Sequence, residues 1–132
     1  MKNKELTITV PTTISFYRIA CLLVGAFEGG SNYWYVIDEF IKPKPLDYQM
    51  DEDSVCKYTD YPLSTGGALI ISDCEGDYKG MRLDLDSIKK GLEVMANMKA
   101  NWHWTNFLQE QDDAETADVF LQCCLFGEVI FG

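Results

Sequence analysis

One histidine, three consecutive aromatics and several knots of carboxylates are the side chains in this chain with chemistry to offer. His103 is the sole histidine, set between Trp102 and Trp104 with Asn106 one turn on. An imidazole so placed reads either as a general base or stacking ring or as a half-buried histidine among aromatic anchors. No serine or cysteine near it carries a nucleophile motif, which favours the second reading. Asp73, Glu75 and Asp77 crowd one short stretch. Such a density suits a hard cation, but Tyr78, Lys79 and Gly80 supply no further ligands downstream. The stretch reads as an acidic hairpin turn, and no metal and no cofactor are expected.

Tyr33, Trp34 and Tyr35 could stack a base. On a strand the two tyrosines face one way and Trp34 the other. A nucleic-acid platform pairs such rings with Lys and Arg, whereas the neighbours here are Glu28, Asp38 and Glu39. Direct nucleic-acid binding is therefore disfavoured; Trp34 reads as core, and the tyrosines as core or as the lining of a pocket or interface. Gly29-Gly30-Ser31 follows a helix pattern, and Gly66-Gly67 precedes a strand pattern, so neither has the strand-loop-helix setting of a phosphate loop. Ser64-Thr65-Gly66-Gly67 could present amides to an anion, but loop punctuation is the simpler reading. Cys21, Cys56, Cys74, Cys123 and Cys124 are odd in number and lack CxxC spacing, which fits free thiols rather than a disulfide framework or a zinc site.

The carboxylates dominate the charge. There are 21 acids against 11 bases, a net charge of −10 over 132 residues. This field repels nucleic acid and anionic lipid and attracts basic partners; its simpler consequence is solubility. The acids cluster between Asp47 and Asp86 and again between Glu110 and Asp118. At such density carboxylates can take the place of a row of phosphates in a basic groove.

The elements that must position these groups follow from periodicity. Leu6–Val10 alternates as a strand with one buried face. Residues 13–28 are apolar almost all the way round, which predicts a central helix covered on most sides, ended by Gly29 and Gly30 in the left-handed region. Tyr33–Ile37 reads as a strand, stopped beyond Ile41 by Lys42-Pro43-Lys44-Pro45. Leu46–Gly67 is a long connection, functional or mobile. Ala68–Asp73, a turn at Glu75-Gly76-Asp77 and Tyr78–Leu85 form a hairpin. A helix capped by Asp86 or Ser87 follows, with Ile88, Leu92, Val94, Met95 and Met98 on its apolar side. A short helix is expected within Asn101–Gln111. A last helix starts at Asp112, with capping-box spacing to Glu115. It buries Ala117, Phe120, Leu121, Cys124 and Leu125, turns Glu115, Asp118 and Gln122 to solvent, and ends at Gly127. Val129–Phe131 could add a short strand. The fold expected is a single α+β domain over 1–132, a mainly antiparallel sheet with helices packed on one face. Met1-Lys2-Asn3-Lys4-Glu5 is not a signal peptide. The apolar block Ile14–Phe27 is too short to span a bilayer and contains Arg18, so a soluble, cytoplasmic protein with no membrane partner is expected.

Glu28-Gly29-Gly30-Ser31-Asn32-Tyr33-Trp34, Ser64-Thr65-Gly66-Gly67 before a strand, and Asp113-Ala114-Glu115-Thr116-Ala117-Asp118 leading to Leu125-Phe126-Gly127-Glu128-Val129-Ile130-Phe131-Gly132 together resemble a family of short acidic proteins carried by bacteriophages and other mobile elements. The resemblance runs from about Ile14 to the C-terminus. It implies no catalytic residues, and the connection around Asp47–Asp60 is longer and more acidic than it leads one to expect. It does imply a phage or mobile-element setting inside a bacterial host, where small acidic proteins often inhibit host defence, as anti-CRISPR and anti-restriction proteins do.

The function expected is accordingly a non-enzymatic inhibitor of a bacterial defence protein of the anti-CRISPR type. It would bind a basic, nucleic-acid-handling host protein such as a CRISPR effector. Asp47, Asp51, Glu52, Asp53, Asp73, Glu75 and Asp77 form the contact set, with Tyr58 and Tyr61 as anchors. Self-association as a homodimer is compatible with the sequence. The alternative is a binder of a small nucleotide signal, with a pocket from Asn32, Tyr33, Tyr35, Gly66 and Gly67. The scarcity of Lys and Arg near those aromatics weighs against a phosphorylated ligand. An enzyme is the weakest reading, given one histidine and no nucleophile motif or metal set.

Overall fold

The computed structural model describes residues 4–8, 10–100 and 102–132. Helix α1 (Phe16–Gly25) runs into a π-helical turn, Ala26–Gly30. Strand β1 (Tyr35–Ile41), a single turn α2 (Lys57–Asp60), strands β2 (Ala68–Asp73) and β3 (Met81–Leu83), and helices α3 (Leu85–Ala96), α4 (Trp102–Leu108) and α5 (Ala114–Phe126) follow. The sheet is antiparallel in the order β1-β2-β3. The fold is α+β, as the periodicity indicated.

The hairpin of β2 and β3 forms within the expected stretch, but its second arm is Met81–Leu83 rather than Tyr78–Leu85, because Asp84 caps α3 and Leu85 already belongs to that helix. Leu69 pairs Leu83 and Ile71 pairs Met81; Leu69, Ile71 and Leu83 are fully buried. β1 pairs β2 from Tyr35↔Asp73 to Ile41↔Ala68, with a bulge at Asp38. The bulge is tied down by Ser72 Oγ donating to the Asp38 carboxylate.

The centre of the molecule is α5, not α1. Every residue of α5 from Thr116 to Cys124 is buried, and the helix touches α1, the π turn, α3, α4 and β3. α1 starts at Phe16 and buries Ile19, Ala20, Leu22 and Leu23, while Phe16 and Tyr17 face solvent. An apolar surface nearly all round a helix calls for cover but does not by itself place the helix at the centre, and the sequence expectation of a central helix over 13–28 is corrected on this point. Neither Gly29 nor Gly30 sits at positive φ. Gly30 is needed for a close approach: a Cβ there would lie 2.0 Å from the Ala114 carbonyl oxygen, where the π turn meets the start of α5. Gly91 serves likewise between α3 and α5, where a Cβ would fall 2.3 Å from Cys124 Sγ. Gly127 closes α5 in the left-handed region, as expected.

Three caps shift. Asp84, not Asp86 or Ser87, caps α3, in a reciprocal box with Ser87 (Ser87 N to Asp84 Oδ1 3.0 Å, Asp84 N to Ser87 Oγ 2.8 Å). Asp113, not Asp112, caps α5 by accepting from Thr116 N at 2.9 Å. Asp112 is free to bind Arg18, whose guanidinium also donates to the Phe107 carbonyl and lies 5.0 Å from that ring, joining α1 to α4. The described residues of the expected strand Leu6–Val10 form no strand. Leu6, Ile8 and Val10 are exposed and belong to no element; Thr9, like Asn101 at the edge of the expected short helix, lies outside the described residues. Val129–Phe131 is also not a strand, for a reason that α5 supplies.

Candidate functional site

Two carboxylates organise the parts of the molecule that could recognise something. The first is Asp118. The expectation placed Asp118 and Gln122 with Glu115 on the wet side of α5; only Glu115 is exposed. Asp118 is 8% exposed and Gln122 fully buried. The π turn swings Ser31–Trp34 over this part of α5, so that Asp118 Oδ1 accepts from Ser31 Oγ at 2.7 Å and Trp34 Nε1 at 2.8 Å. Its Oδ2 accepts from Tyr33 OH at 2.7 Å and Gln122 Nε2 at 3.1 Å. Trp34 Nε1 and Gln122 Nε2 are donor-only groups, one on each oxygen. Among the described residues no lysine or arginine pairs with Asp118. Burial, then the hydrogen bond to Asp118 and its charge, push the Tyr33 phenol up to about 12.

Gln122 extends the network to the last residues. Its Oε1 accepts from Ile130 N and Phe131 N, each at 2.8 Å, and its Nε2 donates to the Phe131 carbonyl at 3.2 Å. The carboxamide thus does for this segment what a neighbouring strand would do. Phe131 stacks on Trp34 with ring centroids 5.1 Å apart. The stretches Glu28–Trp34, Asp113–Asp118 and Leu125–Gly132, singled out by resemblance, therefore meet at one buried hub. Beside it lies a pocket of about 410 Å³ walled in part by Tyr33, Glu115, Asp118 and Phe131.

The second carboxylate is Asp60, fully buried. It accepts from Met50 N at 3.0 Å, Cys56 N at 2.8 Å and Thr59 Oγ1 at 2.8 Å. Ser64 Oγ accepts from Tyr48 N and Asp47 Oδ1 from Thr65 N, each at 3.1 Å. The connection Leu46–Gly67 is therefore a braced loop rather than a loose one. At its tip Asp51 accepts from Asp53 N and Ser54 Oγ, closing a turn that leaves Asp51, Glu52 and Asp53 exposed. Val55 and Tyr58 are exposed close by in the chain. The Tyr58 ring rests on Phe27 and Phe40.

The expected contact set is only partly available. Asp47, Asp51, Glu52, Asp53, Tyr58, Glu75 and Asp77 are exposed. Tyr61, 8% exposed, belongs to the core, and Asp73, 4% exposed, accepts from Tyr78 N at 2.6 Å to close its own turn; neither can meet a partner. The Asp73, Glu75 and Asp77 carboxylates lie within 4.8 Å of one another. The two acidic stretches leave opposite ends of the β1–β2 ladder, since Ile41 pairs Ala68 and Tyr35 pairs Asp73. For the same reason the alternative set is not assembled. Gly66 and Gly67 lie at the Ala68 end, beside Arg82 and Asp84; Tyr33 is at the Asp118 hub, and Tyr35 OH donates to the Phe27 carbonyl at 2.6 Å. Asn32 is exposed next to the hub.

His103 is buried, with Nδ1 2.9 Å from Thr116 Oγ1 and Trp102 packed on its ring. Burial pushes its pKa down, against the opposing charges of Glu115 and Asp113. It docks α4 on α5 and does not present a base to solvent. All five cysteines are free; burial raises the Cys123 thiol to about 11, and burial with the neighbouring Cys123 raises the Cys124 thiol well above its ordinary value, so both thiols at the end of α5 are poor nucleophiles. Among the described residues no helix is long and apolar enough to cross a membrane. Comparison with known proteins finds no matching family model, no matching curated protein and no matching solved structure.

Proposed function

We propose that this chain is a non-enzymatic inhibitor that occupies a basic, nucleic-acid-handling surface of another protein. The target in the bacterial setting implied by the resemblance is a defence protein of the CRISPR-effector type, met in the host cytoplasm. The observation that carries the reading is the braced acidic loop. Asp60 holds the backbone on both sides of the Asp51–Asp53 tip, so the carboxylates are presented in a fixed arrangement and lose little freedom on binding. The described ion pairs use only Glu110, Asp112 and Asp84, which leaves the acids of the loop free to meet a partner's lysines and arginines. Tyr58 supplies an aromatic anchor next to the charges, the combination that concentrates binding energy in interfaces. The working contact set is thus Asp47, Asp51, Glu52, Asp53 and Tyr58, with Glu75 and Asp77 at the other end of the sheet reserved for a target that spans both.

The test is inhibition of DNA binding by a purified CRISPR effector, titrated with the wild-type chain and with a variant carrying Asp51→Lys, Glu52→Lys and Asp53→Lys. Inhibition by the wild type is expected to weaken steeply as salt rises, and the reversed variant to lose inhibition while keeping its circular dichroism and melting temperature. Equal inhibition by a folded reversed variant, or inhibition indifferent to salt, overturns the reading.

A further inference from the structure

Beside the Asp118 hub is a pocket of about 410 Å³, within the range of small-molecule sites. Its walls combine aromatic side chains from Tyr33 and Phe131, apolar surface from Val119 and Val129, and the carboxylates of Glu115 and Asp118. Among the described residues no lysine or arginine lines it. Glu115 is exposed, whereas Asp118 is more than nine-tenths buried. Asp118 has its hydrogen bonds satisfied by neutral donors while, among the described residues, no cationic side chain answers its charge. A buried charge is ordinarily matched by an opposite one, and here the space for a counter-charge is already open. Aromatic walls next to carboxylates favour a cation that is partly desolvated, and the apolar walls favour one with a hydrocarbon stem.

We infer that this pocket binds an organic cation, an ammonium or guanidinium group on an alkyl stem. The cation pairs with Glu115 at the mouth and lies in the field of Asp118, with its stem against Val119, Val129 and the rings. The same chemistry comes from a free diamine or guanidino compound and from a lysine or arginine side chain of a partner. The site is separate from the acidic loop and does not rest on the inhibitor reading.

Isothermal titration of the full chain with agmatine, with spermidine and with a capped Gly-Arg-Gly peptide tests it, with butylurea as an uncharged analogue of agmatine. Saturable binding of agmatine or spermidine is expected, with none of butylurea. Glu115→Gln should weaken it about fivefold, the size of one partly exposed ion pair, and Glu39→Gln, an exposed acid on β1, should leave it unchanged. Binding of the peptide but not of the free cations assigns the pocket to a partner's side chain and supports the inference. Absence of binding by all three cations, or equal weakening by Glu39→Gln and Glu115→Gln, overturns it, the latter because a diffuse negative field would then be the whole cause. Glu115 is exposed, so loss of folding does not confound the test; circular dichroism of the variant verifies this.

Discussion

Replacing Asp118 by alanine should be among the most damaging single changes in this chain. The side chain gathers Ser31 Oγ, Tyr33 OH, Trp34 Nε1 and Gln122 Nε2. Hydrogen bonds to a charged acceptor are worth about 1.5–3 kcal/mol each, and a buried donor left without a partner costs about 1–3 kcal/mol. Tyr33 is half exposed and can turn to water, and Gln122 keeps its bond to the Phe131 carbonyl. The loss therefore falls on Ser31 and Trp34, which are buried. Allowing for non-additivity, Asp118→Ala should cost about 3–5 kcal/mol, a large part of the ~5–15 kcal/mol that holds a domain of this kind together. Asp118→Asn keeps one oxygen for Ser31 and Trp34 and offers its NH2 to Tyr33 OH, which can accept, but turns that NH2 against the donor-only Gln122 Nε2; its cost should be about 1–3 kcal/mol. Urea denaturation followed by circular dichroism measures both. A double-mutant cycle with Ser31→Ala should return a coupling of about 1–2 kcal/mol. In Asp118→Asn the Tyr33 phenol should titrate below its value of about 12, yet stay above an ordinary tyrosine, because burial is the largest cause of its shift. An Asp118→Ala variant within about 1 kcal/mol of wild type, or a coupling near zero, refutes the hub as a load shared by these donors.

Gly30→Ala should cost about 1–3 kcal/mol, the size of an overpacked contact, because its Cβ would collide with the Ala114 carbonyl; Gly29→Ala, with nothing within 4 Å, should be nearly neutral by the same denaturation assay. For His103, whose pKa is lowered by burial, the unfolded chain takes up the proton first as pH falls below about 6.5. Its contribution is therefore complete above that pH and is lost as pH drops through the folded value. Denaturation midpoints between about pH 7.5 and 5 should fall less in His103→Gln than in wild type, and an equal fall in both would contradict this. Asp60→Ala should cost about 2–3 kcal/mol and abolish hydrogen-exchange protection at the Met50 and Cys56 amides, while amides of β2 stay protected relative to the global stability.

What the sequence disclosed was local. Alternation located the hairpin of β2 and β3, and the i, i+3, i+4 pattern located the apolar residues of α5, with Gly127 ending the helix where left-handed geometry is needed. What it hid depended on distant partners. Asp118 and Gln122 share a face with Glu115, and a polar stripe on a helix is normally wet. They are buried because Ser31–Trp34 and Ile130–Phe131 come from elsewhere to satisfy them. Gly30 looked like a helix stop because its true reason, the Ala114 carbonyl, is far away in the chain. α1 has the more apolar surface, yet α5 is central, since burial is decided by how many elements surround a helix. The acidic loop was legible as charge, but its rigidity was not, because one of its many aspartates, Asp60, points inward. Asp73 and Tyr61 were misjudged as contact residues for the same reason: composition counts a carboxylate or a phenol without knowing which way it faces.

The bonds from Ser31, Tyr33 and Trp34 to Asp118 span 87, 85 and 84 residues of chain. Their closure cannot reward the polypeptide until nearly all of it has been threaded into place, which makes folding slow relative to size. Cutting the backbone at Glu52 would leave α1, the π turn and β1 on one fragment and the remaining elements on the other. Those fragments carry complementary halves of both the β1–β2 ladder and the Asp118 hub, so the molecule is divided by its own architecture into two pieces suited to reassociate after scission.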